Sequence, residues 1–178
     1  RLATRLPQTV QSHNESSATF SVIHQDALAL KSLPEAPTVL VANLPYNVSV
    51  PVLLHLLEIF PTLKSGVVMV QAEVADRLAA KPGTKDYGIP SVKAAWWADL
   101  HGAGSISRSV FWPIPGVDSK LVSFTRHQPL GDEALRQKVF TLIDAAFAQR
   151  RKMLRSALSS IYGSSSAAEK ILIQAGID

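Results

Sequence analysis

The apolar positions change period several times along the 178-residue chain. Leu2, Leu6 and Val10 recur at spacing four and predict a helix over residues 1–12. Pro7 sits awkwardly inside it, because it removes a hydrogen bond and crowds the preceding turn. Residues 18–24 predict a strand that leads to Asp26, and residues 31–37, with Pro34 and Pro37, predict a loop. Thr38 to Ala42 is a continuous apolar run, the mark of a strand buried on both faces, and it stops at Asn43-Leu44-Pro45-Tyr46. Val50 to Phe60 predicts a helix with Pro51 in its first turn. Val67 to Gln71 then predicts a strand and Glu73 to Ala80 a helix. Residues 81–88, rich in turn formers, predict a loop, and Ser91 to Asp99 another helix.

The second half begins with a weak strand signal over residues 100–110. Phe111 to Pro115 must be extended, because each proline restrains the residue before it. Lys120 to Arg126 alternates apolar and polar, as a strand near a sheet edge would. Past Gly131-Asp132 the pattern is helical only: Leu135, Val139, Leu142, Ile143, Ala146 and Phe147 share one face. Met153, Leu154 and Leu158 predict a second helix, Gly163 to Ser166 a loop, and a short helix follows. Strands alternating with helices, then helices alone, predict an α/β domain over residues 1–130 and a small α-helical domain over residues 131–178.

Charge adds a direction to this picture. The net charge is +4, yet residues 1–133 balance 11 Lys+Arg against 11 Asp+Glu, while residues 134–178 carry 7 against 3. A local basic excess fits an anionic partner, most simply nucleic acid; the competing reading is a solvated basic helix face. The candidate phosphate contacts are Arg150, Arg151, Lys152 and Arg155, with Arg151 and Arg155 sharing a helix face at spacing four and Leu154 and Leu158 turned inward. Lys81, Lys85, Arg108 and Lys120 are weaker candidates near the predicted cleft. The absence of Cys excludes disulfides and thiolate chemistry and agrees with a reducing, cytoplasmic setting. No apolar run reaches the 18 residues of a membrane span, and the five His show no metal-ligand spacing.

In open α/β sheets, ligands sit beyond the carboxyl ends of the strands, where Asp26 and Asn43 fall. Asn43 offers an amide oxygen. Pro45 disfavours helix at Leu44, so the Leu44 carbonyl is free to face a cleft. Tyr46 adds an aromatic face. Two acceptors beside a ring suit a planar base bearing an exocyclic amine; an ordinary strand-to-helix turn is the alternative.

These four residues resemble the catalytic motif of the adenine-N6 methyltransferases. The wider chain resembles the KsgA-type rRNA adenine N6,N6-dimethyltransferases. The similarity is carried in order by Gln25 to Leu28, Val70 to Leu78, Pro82 to Gly88, Val110 to Ser119 and Ala146 to Arg155. It implies a Rossmann-like sheet binding S-adenosylmethionine, and transfer of two methyl groups to each of two adjacent adenines near the 3′ end of small-subunit rRNA, in the immature small subunit. It also implies roles. Asp26 would accept from the cofactor's adenine amine and Asn43 would border the cofactor. Asn43 and the Leu44 carbonyl would hold the target amine, and Tyr46 and Phe111 would flank the flipped base. The family's opening strand, Gly-rich turn and ribose-binding acidic residue have no counterpart in this sequence, so the sheet is expected to lack its first strands. Weak cofactor binding, an inactive fragment, and either self-association through a bare edge at residues 38–42 or a disordered or displaced residue 1–30 segment are the corresponding expectations. A non-catalytic rRNA-binding module, a large-subunit rRNA methyltransferase and a DNA adenine methyltransferase are the competing functions.

Overall fold

The structure is a computed structural model that describes residues 2–13, 19–149 and 151–177. It divides into two compact units, Arg1–Pro34 and Glu35–Asp178. In the first, the helical spacing is realised as α1 (Leu2–His13), with Pro7 inside it. The predicted strand at 18–24 does not form: residues 19–24 carry no strand, and residue 18 lies outside the described residues. Alternation supplies a face but not a partner, and a strand exists only where its N–H and C=O groups find a ladder.

In the second unit, β1 (Val39–Asn43), β2 (Ser65–Gln71), β3 (Ala98–Ile106) and β4 (Ser119–Arg126) form one sheet in the order β1-β2-β4-β3. β1 and β2 are parallel, and the other two pairings are antiparallel. The β3–β4 pair shifts register between Gly102 and Gly104, and Gly104 takes φ +124°, which only glycine adopts easily. Gly66 is required for a different reason: a methyl group there would collide with the Leu40 carbonyl and the Phe124 ring.

The core lies on one face of the sheet. Val68 and Val70 of β2, Val122 and Phe124 of β4 and Leu100 of β3 are buried there. They are joined in the core by Leu53 and Leu57 of α2 (Ser49–Ile59) and Ala75 and Leu78 of α3 (Ala72–Ala79). β1 departs from its predicted burial on both faces. It is an outer strand, and Val39 and Val41 are 57% and 79% exposed. β4, expected near an edge, lies inside the sheet between β2 and β3. Its alternation reports one covered and one open face, a property independent of position in the strand order.

The helix expected over 91–99 is shorter: α4 (Ile89–Ala94) ends early and Ala98 already belongs to β3, which runs nine residues rather than forming a weak strand. The break lets Trp96 and Trp97 turn inward, where both meet Phe140 of α5 (Glu133–Phe147) edge-on at 6.1 and 5.5 Å. Lys93–Asp144 (2.7 Å) and Arg136–Glu58 (2.8 Å) add ion pairs across the same contact. The helix expected over 153–158 is two single turns, α6 (Leu154–Ala157) and α7 (Ser159–Tyr162), followed by α8 (Ser165–Gln174). Ser159 Oγ donates to the Ser156 carbonyl at 2.7 Å, the kind of local bond by which serines compete with a continuous helix. Among the described residues, no helix is long and apolar enough to cross a membrane.

Candidate active site

β1 ends at Asn43, and its parallel register sets Asn43 beside Met69 near the end of β2. The antiparallel β4 starts where β2 ends, with Gln71 paired to Ser119. β3 also ends here, with Ile106 paired to Ser119, so three carboxyl ends and one amino end meet at a single rim of the sheet. The Leu44 N–H closes the rim by donating to the Met69 carbonyl at 3.1 Å. Pro45, at φ −59° and ψ 129°, is extended and turns the chain into a 3-10 turn over Tyr46–Val48 that runs straight into α2.

This rim carries a cavity of about 430 Å³ lined by Asn43, Leu44, Pro45 and Tyr46 on one side and Phe111, Trp112, Pro113 and Pro115 on the other. The acceptor tetrapeptide and the late aromatic segment, 65 residues apart between Tyr46 and Phe111, are thus brought together. Among the described residues, neither the Asn43 carboxamide nor the Leu44 carbonyl has a hydrogen-bond partner, so both acceptors remain available. Phe111 follows a 3-10 turn (Arg108–Val110) capped by Ser107, whose Oγ accepts from the Ser109 N–H.

Tyr46 is held by a residue to which the sequence assigned no role. Its hydroxyl lies 2.7 Å from Ser119 Oγ, and Ser119 is fully buried. The only sequence signal was its place as the last residue of the Val110–Ser119 segment; the sheet register says what it faces. β4 clamps the element twice. Ser119 at its start fixes Tyr46, and Arg126 at its end donates from Nη1 to the carbonyls of Leu57 (2.8 Å) and Phe60 (3.4 Å), capping α2. Burial pulls the Arg126 guanidinium below its ordinary pKa, the cost of placing this cap against the core.

The other described candidates of the second unit do not line this cavity. Asp26 belongs to the first unit, where its Oδ1 accepts from the Leu28 N–H at 2.9 Å and its carbonyl from the Ala29 N–H at 3.1 Å, an Asx-type turn. Its second carboxylate oxygen has no partner among the described residues and can accept from an exocyclic amine. Lys81 is exposed in the loop after α3. Lys85 lines a separate cavity of about 760 Å³ with Arg77, Tyr87 and Phe147. Arg108 is exposed beside the rim, whereas Lys120 is committed to Asp76 at 2.7 Å. Arg150 lies outside the described residues. Arg151 and Lys152 are exposed in the turn before α6 and not on a helix, so the expected shared face with Arg155 does not form. Arg155 is paired with Glu169 of α8.

The model of the family "Ribosomal RNA adenine dimethylase" matches residues 1–178. The chain belongs to the ribosomal RNA adenine dimethylase family. A protein named ribosomal RNA small subunit methyltransferase A from Leifsonia xyli subsp. xyli is 59% identical over 180 residues, covering 99% of this chain and 64% of that protein. One of the same name from Thermobifida fusca is 57% identical, covering all of this chain and 63% of that protein. The chain thus spans less than two thirds of the length of these curated relatives. In fold it is similar to a dimethyladenosine transferase from Plasmodium falciparum (TM-score 0.72, 23% identity, 89% of this chain and 56% of that one). It is also similar to the 23S rRNA methyltransferase ErmE (TM-score 0.68, 23% identity, 100% and 70%).

Proposed function

We propose that this protein transfers methyl groups from S-adenosylmethionine to the N6 amines of two adjacent adenines near the 3′ end of small-subunit rRNA, in the cytoplasm where small subunits mature. One observation carries the reading: two unengaged acceptors, Asn43 and the Leu44 carbonyl, share a cavity rim with the rings of Tyr46 and Phe111. An exocyclic adenine amine is a poor nucleophile because its lone pair is delocalised into the ring. Accepting both of its N–H bonds at Asn43 and Leu44 turns the nitrogen toward tetrahedral geometry and frees the lone pair for attack. Tyr46 and Phe111 offset the lost stacking of the extruded base. Most of the rate gain is positional, and no strong general base is needed. S-adenosylmethionine, when bound, supplies an electrophilic methyl group on a sulfonium. Asn43, at the sheet rim, is the residue of the second unit suited to border it. Residues 1–130 form the catalytic portion in this reading, and residues 131–178 an RNA-facing portion.

The test is incorporation of labelled methyl into unmethylated small subunits by residues 1–178 fused behind the family's Gly-rich opening segment. RNA binding without incorporation would overturn the enzymatic reading in favour of a non-catalytic ribosome-assembly module. Residues 1–178 alone, with no Gly-rich turn in the sequence, should bind S-adenosylmethionine weakly. Tight binding by calorimetry would refute that. The outer edge of β1 pairs with no strand among the described residues, and Val39 and Val41 are exposed beside it. In residues 1–178 taken alone we expect this edge to pair with a second copy; a strictly monomeric species by light scattering would refute this.

A further inference from the structure

The loop that closes the candidate active site is apolar and exposed. Trp112 is 95% exposed, and Val110, Ile114 and Val117 are 68%, 64% and 44% exposed. Trp112 nevertheless lines the same cavity as Asn43, Tyr46 and Phe111. The other two tryptophans behave oppositely: Trp96 and Trp97 are 5% and 4% exposed and pack against Phe140. An indole left in water at the mouth of a pocket forgoes its burial energy, a pattern that marks a binding surface rather than a core residue. Its position is fixed without its help. Pro113 and Pro115 after it restrict the backbone, and Ser119 anchors the segment's far end in β4.

We propose that Trp112 is the platform on which the nucleobase next to the target base stacks in single-stranded RNA. This inference rests on the adenine-N6 methyltransferase reading and assigns a positioning role that the reading itself does not require. A base drawn into the 430 Å³ cavity drags its neighbours to the rim, where each loses a stacking partner. An exposed indole face at that rim restores one. Stacking accepts any base, so Trp112 sets affinity and strand position, while Asn43 and Leu44 select the amine. Arg108, exposed four residues earlier at the start of the 3-10 turn, is the cation of this loop suited to the adjoining phosphate.

Of the three tryptophans Trp112 is the one that faces solvent, so its share of the intrinsic fluorescence is isolated as the difference between the 178-residue chain and Trp112→Phe. A short single-stranded RNA carrying adenine at the target position should quench Trp112 emission as it binds, and an abasic nucleotide at the neighbouring position should abolish that quenching. Trp112→Ala should weaken the RNA by about tenfold or more, and Trp112→Phe should restore most of it. An unchanged affinity in Trp112→Ala, or quenching indifferent to the abasic neighbour, would overturn the inference. The underlying reading is followed separately through labelled-methyl incorporation into small subunits by the fused form, and its loss in Asn43→Ala. If incorporation is seen while Trp112 does not respond, the stacking role alone fails. If neither is seen, the active-site reading fails and the stacking role with it.

Discussion

The two regions that the residue pattern marks for function fare differently in three dimensions. The Asn43–Tyr46 corner gains neighbours that sharpen its chemistry: Phe111 across the cavity and Ser119 under the Tyr46 hydroxyl. The basic segment at 150–155 loses some of its chemistry, because Arg155 pairs with Glu169 and the expected helix breaks into single turns. Lys120 is diverted to Asp76 in the same way. An acceptor site is built by covalent neighbours locked into a sheet rim, and packing strengthens it. A charge cluster depends on side chains that remain free, and packing supplies opposite charges. Reading an acceptor tetrapeptide from sequence is therefore safer than counting phosphate contacts.

The comparison breaks first at Asn43. Asn43→Ala in a catalytically complete form should lower turnover by at least about 10²-fold, as losing a preorganised polar contact to the reacting group does, and leave RNA affinity nearly unchanged. Retained turnover, measured by labelled-methyl incorporation, would remove the corner from catalysis. Ser119→Ala comes next. It strips the Tyr46 hydroxyl of its partner and should cost about 1 kcal/mol of stability in thermal unfolding. Turnover should fall more than KM changes, a split that a general loss of folded protein would not produce.

In the basic region, Arg151→Ala and Lys152→Ala should each lower the slope of log affinity against log salt by about one. Arg155→Ala and Lys120→Ala should change it less, because those cations already face carboxylates; equal slopes across all four would erase the distinction. The smallest effect lies at Glu133, whose carboxyl is held below the usual carboxylate range by hydrogen bonds from Arg136 first and Gln137 second. The same contact raises Arg136. With the folded value below the unfolded one, the stabilisation is present above the ordinary carboxylate range and is lost as pH falls through the lowered value. Glu133→Gln should flatten the acid limb of melting temperature against pH; an unchanged limb would show the contact to be idle.

Much of the architecture was legible before any coordinate. α2, β2, α3, α5 and α8 lie where the periodicity puts them, and the Asn43–Tyr46 turn follows from the end of an apolar run and the restraint Pro45 imposes. The misses share a cause. Residues 19–24 have strand alternation without a ladder, β4 has edge-like alternation inside the sheet, and α4 stops early because Trp96 and Trp97 turn in against α5. Each outcome depends on a partner that local pattern does not name.

The sequence by itself determined the local conformations and the chemistry of the acceptor corner, since backbone propensity, proline restraint and side-chain functional groups act within a few residues. Tertiary structure decided the order of strands, the face of the sheet left open, and which cations stay free. It also joined Tyr46 to Ser119 and Lys120 to Asp76, pairs 73 and 44 residues apart. Those outcomes rest on hydrogen-bond ladders and on ion pairs between distant segments, and only the folded chain brings such segments within reach.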